Sequence, residues 1–284
     1  MPPIIEVLLP AALGFIMFSV GITLVPADFS RLVEQPRAVA AGLIAQLLFL
    51  PVIAWLLAVA WQLPPEMAVG LMILGACPGG PSSVLITHLA RGTAALSITL
   101  TAITSLVAML SVPLVVNLSL RVFLGADSPI ELSVARLVRS VFLITTVPVA
   151  AGMLLRAWRP QLADRLQAWL GRIATTLFVL IVIATFVSQR EALFNHLPTV
   201  GPAAASLNLA VMLVGAGLAL ALRLDRRDGI AIAAECGLQN AALGIFIATA
   251  VLGAAPLAVP SVVYALLMNV GALGLILVAR WRRR

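Results

Sequence analysis

Lysine is absent from this 284-residue chain, and charge of either sign is scarce: arginine and the 11 acids together make up 10% of it. Soluble domains carry about a quarter charged residues, so a water-solvated surface is excluded. The net charge of +7 would suit a nucleic-acid partner only on the basic face of a soluble fold. Here the arginines fall in the gaps between apolar runs, the pattern of a membrane protein, and no nucleic-acid partner is expected. Cysteine is limited to Cys77 and Cys236, both inside apolar runs. They read as small buried hydrophobes and say little about redox compartment. No basic stretch precedes the first apolar run, so no cleavable signal peptide is expected.

What fills the chain is apolar: 62% of it is hydrophobic. About 20 apolar residues cross a bilayer, and on that ruler nine spans emerge. They are Ile4–Val25, Ala38–Trp61, Met67–Ala90, Ala94–Leu118, Leu137–Leu155, Ala168–Val187, Thr199–Leu222, Ile230–Leu252 and Val259–Ala279. The fold class is therefore an all-α integral membrane protein with nine transmembrane helices. Gln62-Leu63-Pro64-Pro65-Glu66 and Arg91-Gly92-Thr93 are tight links, and Gly125-Ala126-Asp127-Ser128-Pro129 is a turn. With the C-terminus cytoplasmic and the N-terminus outside, only Arg121, Arg136, Arg139 and Arg190 fall outside and every other arginine falls inside. That asymmetry predicts a multi-pass protein of the inner (plasma) membrane in this orientation. Trp55, Trp61, Trp158, Trp169 and Trp281 fall near span ends and read as interface anchors.

Two spans carry interruptions. Cys77-Pro78-Gly79-Gly80-Pro81-Ser82-Ser83 removes backbone donors and loosens the third. Ala234-Glu235-Cys236-Gly237-Leu238-Gln239-Asn240 places a carboxylate, a glycine and two amides inside the eighth. Four spans lie between them, an even number, so the two enter the membrane in opposite senses. Paired interrupted spans in two halves of a chain are a pointer to a transporter site near the midplane. Irregular backbone at that depth persists only when buried in protein or facing a cavity. Glu235 is the one acid well inside a span, and such an acid is functional by default; the bland reading is a protonated carboxyl that holds the bundle together. Gln46, Ser83, Ser97, Thr101, Gln239, Asn240 and Asn269 are further oxygen-bearing groups at plausible depth. Ser97 and Thr101 share a helix face, although Ser and Thr in spans commonly bond back to their own helix. His88, near the end of its span, reads as a helix-end polar group. Cys77 and Cys236 have no adjacent base, so an intramembrane enzyme is disfavoured.

These segments resemble a known family. Gly75-Ala76-Cys77-Pro78-Gly79-Gly80-Pro81-Ser82-Ser83 with Thr87-His88-Leu89-Ala90-Arg91-Gly92, and Glu235-Cys236-Gly237-Leu238-Gln239-Asn240, look like the two crossing segments of the bile acid:sodium symporter family. Phe15 to Leu24, Gly42-Leu43-Ile44-Ala45-Gln46 and Ala258-Val259-Pro260 match as well. The resemblance implies an inverted-repeat transporter with two crossed discontinuous helices, near 76–84 and 234–240. It implies a core domain, 38–130 and 196–284, and a panel domain, 1–37 and 131–195. It implies a secondary active transporter, not an enzyme: sodium-coupled uptake of an organic anion, such as a bile salt or small carboxylate, by alternating access. A proton-coupled or uncoupled carrier on the same fold is the alternative. Na+ is the coupling ion and no cofactor is expected; the partners are the organic anion and the lipid bilayer, and a monomer suffices. One sodium position is matched by Ser83, Ser97, Thr101 and Glu235. A second is matched by Gln46, Glu235, Gln239 and the carbonyls of Cys236 and Leu238. The substrate positions are Gly80, Pro81, Ser82, Asn240 and Asn269. Val84 departs from the family pattern, standing where a bacterial branch carries an Asn ligand and offering no side-chain oxygen.

Overall fold

The computed structural model describes residues 3–25, 28, 31–80, 82–125 and 133–281. Among these residues every regular element is helical, and the sole extended pairing is an isolated β-bridge between Gly79 and Gln239. Apart from a single turn at Arg31–Glu34, the helices are α1 (Pro3–Thr23), α2 (Pro36–Ala60), α3 (Pro65–Ala76), α4 (Ser82–Leu89), α5 (Ala94–Phe123) and α6 (Val134–Trp158). They continue with α7 (Pro160–Ser188), α8 (Arg190–Ala221), α9 (Arg226–Gly237), α10 (Ala241–Val251) and α11 (Val259–Trp281). Six stretches are long and apolar enough to cross a membrane: α2, α5, α6, α7, α8, and α11 together with its leading 3₁₀ turn, Ala255–Trp281. Leu8–Thr23, α3 and α10 are shorter apolar helices. The chain is an all-α, multi-pass membrane protein. Its outward faces agree: Leu110, Leu114 and Leu118 on α5, and Leu209, Leu213 and Leu220 on α8, are all exposed. In water such stripes would be adhesive; against lipid they are the expected coat. All five tryptophans are exposed.

The third and eighth apolar runs are each divided, into α3 and α4 and into α9 and α10. The second division is narrower than the sequence suggests. Helix α9 runs on through Ala234, Glu235, Cys236 and Gly237, and only Leu238, Gln239 and Asn240 leave it. The reason is local: Ala, Glu and Cys have no backbone reason to abandon a helix, and the polar composition there reports the site and not the break. The links Gln62 and Arg91 both adopt positive φ, 49° and 60°. In each case the next residue bonds back to close the helix end, Leu63 N–H to Ala58 O and Gly92 N–H to Thr87 O.

Three helices contain a wide π turn that periodicity does not announce: Ala45–Phe49, Phe142–Thr146 and Ile247–Val251. The first two precede Pro51 and Pro148 and contain the residue four positions before each proline. A proline in a helix lacks an N–H and presses on that earlier carbonyl, and a π turn widens the backbone there.

Helices α1, α6 and α7 pack mainly on one another, while α8 packs on α9 and α11, and α5 on α3. Arg156 fastens the first group. Its Nε donates to the Ile22 carbonyl at the end of α1, Nη1 lies 2.9 Å from Asp164 Oδ1, and Nη2 lies 2.7 Å from Gln167 Oε1. Gly21 on α1 and Gly152 on α6 let the two backbones touch: a Cβ on Gly152 would press on Phe18 O and Ile22 N, and one on Gly21 on Val149 O. Backbone cannot swing aside as a side chain can. Gly152→Ala should therefore destabilise by about 1–3 kcal/mol. A lowered melting temperature of the purified protein in detergent checks this, and an unchanged one would show that α1 and α6 can part without cost.

Candidate functional site

Glu235 lies on the last full turn of α9 and is wholly buried. Leaving a carboxyl there without partners would cost several kcal/mol (about 2–7 for a polar group with no hydrogen bond, more for a charge). Three hydroxyls meet it. Ser83 Oγ, on the first turn of α4, donates to Oε2 at 2.6 Å. Ser97 Oγ, on α5, lies 3.1 Å from Oε2, and Thr101 Oγ1, one turn further on, lies 2.8 Å from Oε1 and 2.9 Å from Oε2. All three donors are buried. Ser83 Oγ is also 3.3 Å from Ser97 Oγ and 3.4 Å from Thr101 Oγ1. The result is a knot of five hard oxygens drawn from three helices. A hydroxyl has one proton and two lone pairs. Each can donate to the carboxyl and still turn a lone pair towards a small cation, so the cradle can receive such an ion without an orphaned donor.

Just beyond the end of α9, where Gln239 in the break meets Gln46 of α2, sits an amide pair. Gln46 Nε2 donates to Gln239 Oε1 at 2.8 Å and to the Cys77 carbonyl at 3.0 Å; Gln239 Nε2 donates to the Cys236 carbonyl at 2.7 Å and approaches Gln46 Oε1 at 3.2 Å. Gln46 belongs to the first π turn of α2, and π turns recur at functional sites.

The two breaks are joined main chain to main chain. Asn240 N–H donates to Pro78 O at 3.0 Å, and Gly80 N–H donates to Leu238 O. Gly79 has no room for a side chain, because a Cβ there would strike the Glu235 carboxyl. Asn240 is the N-cap of α10, accepting from Leu243 N–H at 3.1 Å. Its Nδ2 faces the Met17 sulfur of α1 at 3.7 Å.

The structure thus brings Gln46, Ser83, Ser97, Thr101, Glu235, Gln239 and the Cys236 carbonyl together, with Gly80, Leu238 and Asn240 at the paired breaks. The Leu238 carbonyl is occupied by Gly80 N–H. Ser82 is half-buried at the start of α4, and Pro81 lies outside the described residues. Asn269 is not drawn in: it is exposed on α11 and its Nδ2 bonds back to Ala265 O at 2.7 Å. Val84 is half-buried and adds no oxygen. Sequence reasoning passed over Met17, Asn208 and Tyr264. The last two stand behind the break; the one signal there is that Tyr264 is the single tyrosine of the chain, and Asn208, one of five asparagines, carries none.

Residues 10–196 match the Sodium Bile acid symporter family. The chain belongs to that family. Over 274 residues it is 35% identical to "Uncharacterized sodium-dependent transporter YocS" of Bacillus subtilis (strain 168), covering 96% of this chain and 82% of that protein. It is 29% identical over 277 residues to "Probable sodium/metabolite cotransporter BASS2, chloroplastic" of Oryza sativa subsp. japonica, covering 98% of this chain and 64% of that one. It is 29% identical over 240 residues to "Sodium/bile acid cotransporter 4" of Mus musculus, covering 84% of this chain but only 55% of the mouse protein. The family is one of transporters, not enzymes, so the chain sits in a bilayer and moves a solute.

Proposed function

We propose that this chain imports an organic anion by sodium-coupled symport across the plasma membrane, with its N-terminus outside and its C-terminus in the cytoplasm. The reading has nine membrane crossings: α1, α2, α3 with α4, α5, α6, α7, α8, α9 with α10, and α11. The two divided helices cross at their breaks in an inverted repeat. Residues 38–130 and 196–284 form the core and residues 1–37 and 131–195 the panel. The mutual packing of α1, α6 and α7 supports that division.

The observation that carries the proposal is the buried Glu235 carboxyl ringed by Ser83, Ser97 and Thr101. One sodium ion lies among these oxygens. A second lies by Gln46, Gln239, Glu235 and the carbonyls of Cys236 and Leu238, at the negative end of α9, where a cation is favoured. The anion docks at the opposite, positive ends, near Gly80, Pro81, Ser82 and Asn240 at the starts of α4 and α10. Sodium drives the cycle only by binding one access state more tightly than the other.

Uptake of a labelled organic anion into proteoliposomes tests this. We expect uptake with an inward sodium gradient and background flux when potassium replaces sodium. Equal flux in both would overturn the proposal, and uptake driven by a pH gradient in sodium-free buffer would assign the coupling to protons instead.

A further inference from the structure

Behind the second break, on the side away from the oxygen knot, lies a polar cluster that this cradle does not use. Asn208 on α8 and Tyr264 on α11 are both buried, Tyr264 completely. Asn208 Nδ2 donates to the Gly237 carbonyl at 2.7 Å, and Tyr264 Oη donates to the same carbonyl at 3.0 Å. The two side chains also bond to each other, Asn208 Nδ2 to Tyr264 Oη at 3.1 Å. The pocket is shaped for them. A Cβ on Gly271 would collide with Asn208 Oδ1, and a Cβ on Gly237 would meet the Met212 side chain of α8 at 2.5 Å.

The carbonyl they hold is a particular one. Helix α9 ends at Gly237, and the last four carbonyls of a helix lack partners within it. Here they divide. Ala234 O accepts from Leu238 N–H, while Cys236 O at 2.7 Å and Glu235 O at 3.5 Å accept from the Gln239 amide, on the side of the amide pair. Gly237 O alone is drawn to the opposite side, by two donors at once. Two donors on one carbonyl fix the rotation of the final turn, and that turn carries both Glu235 and the Cys236 carbonyl. We infer that Asn208 and Tyr264 are positioning residues for sodium: they lock the end of α9 so that the Glu235 carboxyl and the Cys236 carbonyl face the ion.

This inference rests on the sodium-coupled reading above. It touches no substrate position, so it predicts a split between the two solutes. In Tyr264→Phe, which keeps the ring and removes one hydroxyl, and in Asn208→Leu, which keeps the shape and removes the amide, the sodium concentration for half-maximal uptake should rise by about three- to tenfold. That is the size expected for the loss of one buried hydrogen bond's positioning. The KM for the anion at saturating sodium should stay within about twofold of wild type, since the anion contacts are untouched. The double variant should shift the sodium requirement further than either single one. The sodium-induced rise in melting temperature of the purified protein gives a second readout that needs no transport, and it should shrink in the same order. If Asn208→Leu does not survive purification, Tyr264→Phe decides the matter. An unchanged sodium requirement, or a raised anion KM with sodium unaffected, overturns the assignment while leaving sodium coupling intact. Wild-type flux that ignores sodium removes the coupling reading itself, and this inference with it.

Discussion

Glu235→Gln should abolish sodium-driven uptake, lowering it by roughly a hundred- to a few thousandfold, while the protein still folds. The side chains have nearly the same shape, and Gln keeps one oxygen to accept from Ser83, Ser97 and Thr101, which now donate to the carboxyl at 2.6, 3.1 and 2.8 Å. What the amide lacks is charge. A cation entering a fully buried knot of oxygens needs a counter-charge, and removing one partner of a buried ion pair costs about 3–5 kcal/mol, which is the stated factor in affinity. Stability should separate this role from a structural one. Without sodium, Gln removes a buried charge held only by hydroxyls, so the melting temperature in sodium-free buffer should hold steady or rise. Wild type should gain stability as sodium is added, by mass action on the folded state, and the variant should not. A melting temperature that falls equally with and without sodium, or uptake matching wild type, would return Glu235 to the role of a bundle-holding hydrogen-bond acceptor.

Gly79→Ala should be nearly as damaging, by a steric route. A methyl group at this position would overlap Oε1 and Cδ of Glu235, and neither party can yield easily. Gly79 is paired across to Gln239, and the carboxyl is fixed by its three hydroxyl partners. Overpacking of this kind costs about 1–3 kcal/mol, so uptake at a fixed, subsaturating sodium concentration should fall by roughly five- to a hundredfold. Gly217→Ala is the matched control: beyond its chain neighbours and its own helix backbone, nothing lies within 4 Å of its added Cβ. A helical glycine to alanine change at such a site gains stability, about 0.5–1 kcal/mol, and uptake should be unchanged. If both variants behave alike, the contact between Gly79 and Glu235 has no part in transport.

Much of this site was legible in the bare chain, for reasons that differ by residue. Pro78, Gly79 and Gly80 announce the first break because each changes what the backbone can do. Glu235 announces itself because a carboxyl in an apolar run needs partners. That Ser83, Ser97 and Thr101 are those partners could not be read from spacing: a serine or threonine in a span has its own helix to bond to, as Thr104 and Thr145 do here, to Leu100 O and Val141 O. Gln46 is legible as an oxygen-bearing group at plausible depth, but its grouping with Gln239, 193 positions away, comes only with the family likeness. The second break is shorter than the polar stretch 234–240, because polarity marks the site and does not by itself unwind a helix. The π turns were missed because an extra residue in one turn leaves hydrophobic spacing almost unchanged over so apolar a helix. Asn208 was missed because one asparagine in a long span carries no periodic signal, and its importance depends on a glycine carbonyl 29 positions away.

The lacing of the two breaks has a mechanical consequence. Pro78 with Asn240, Gly80 with Leu238 and Gln46 with Gln239 stitch the paired segments and α2 into a single insert. Sliding one segment past the other would rupture all of these fastenings together. At Asn240, by contrast, the neighbour on α1 is a thioether 3.7 Å away, a soft contact that costs little to break. On the proposed alternating-access reading, the laced segments would travel past Met17 as one piece rather than separately.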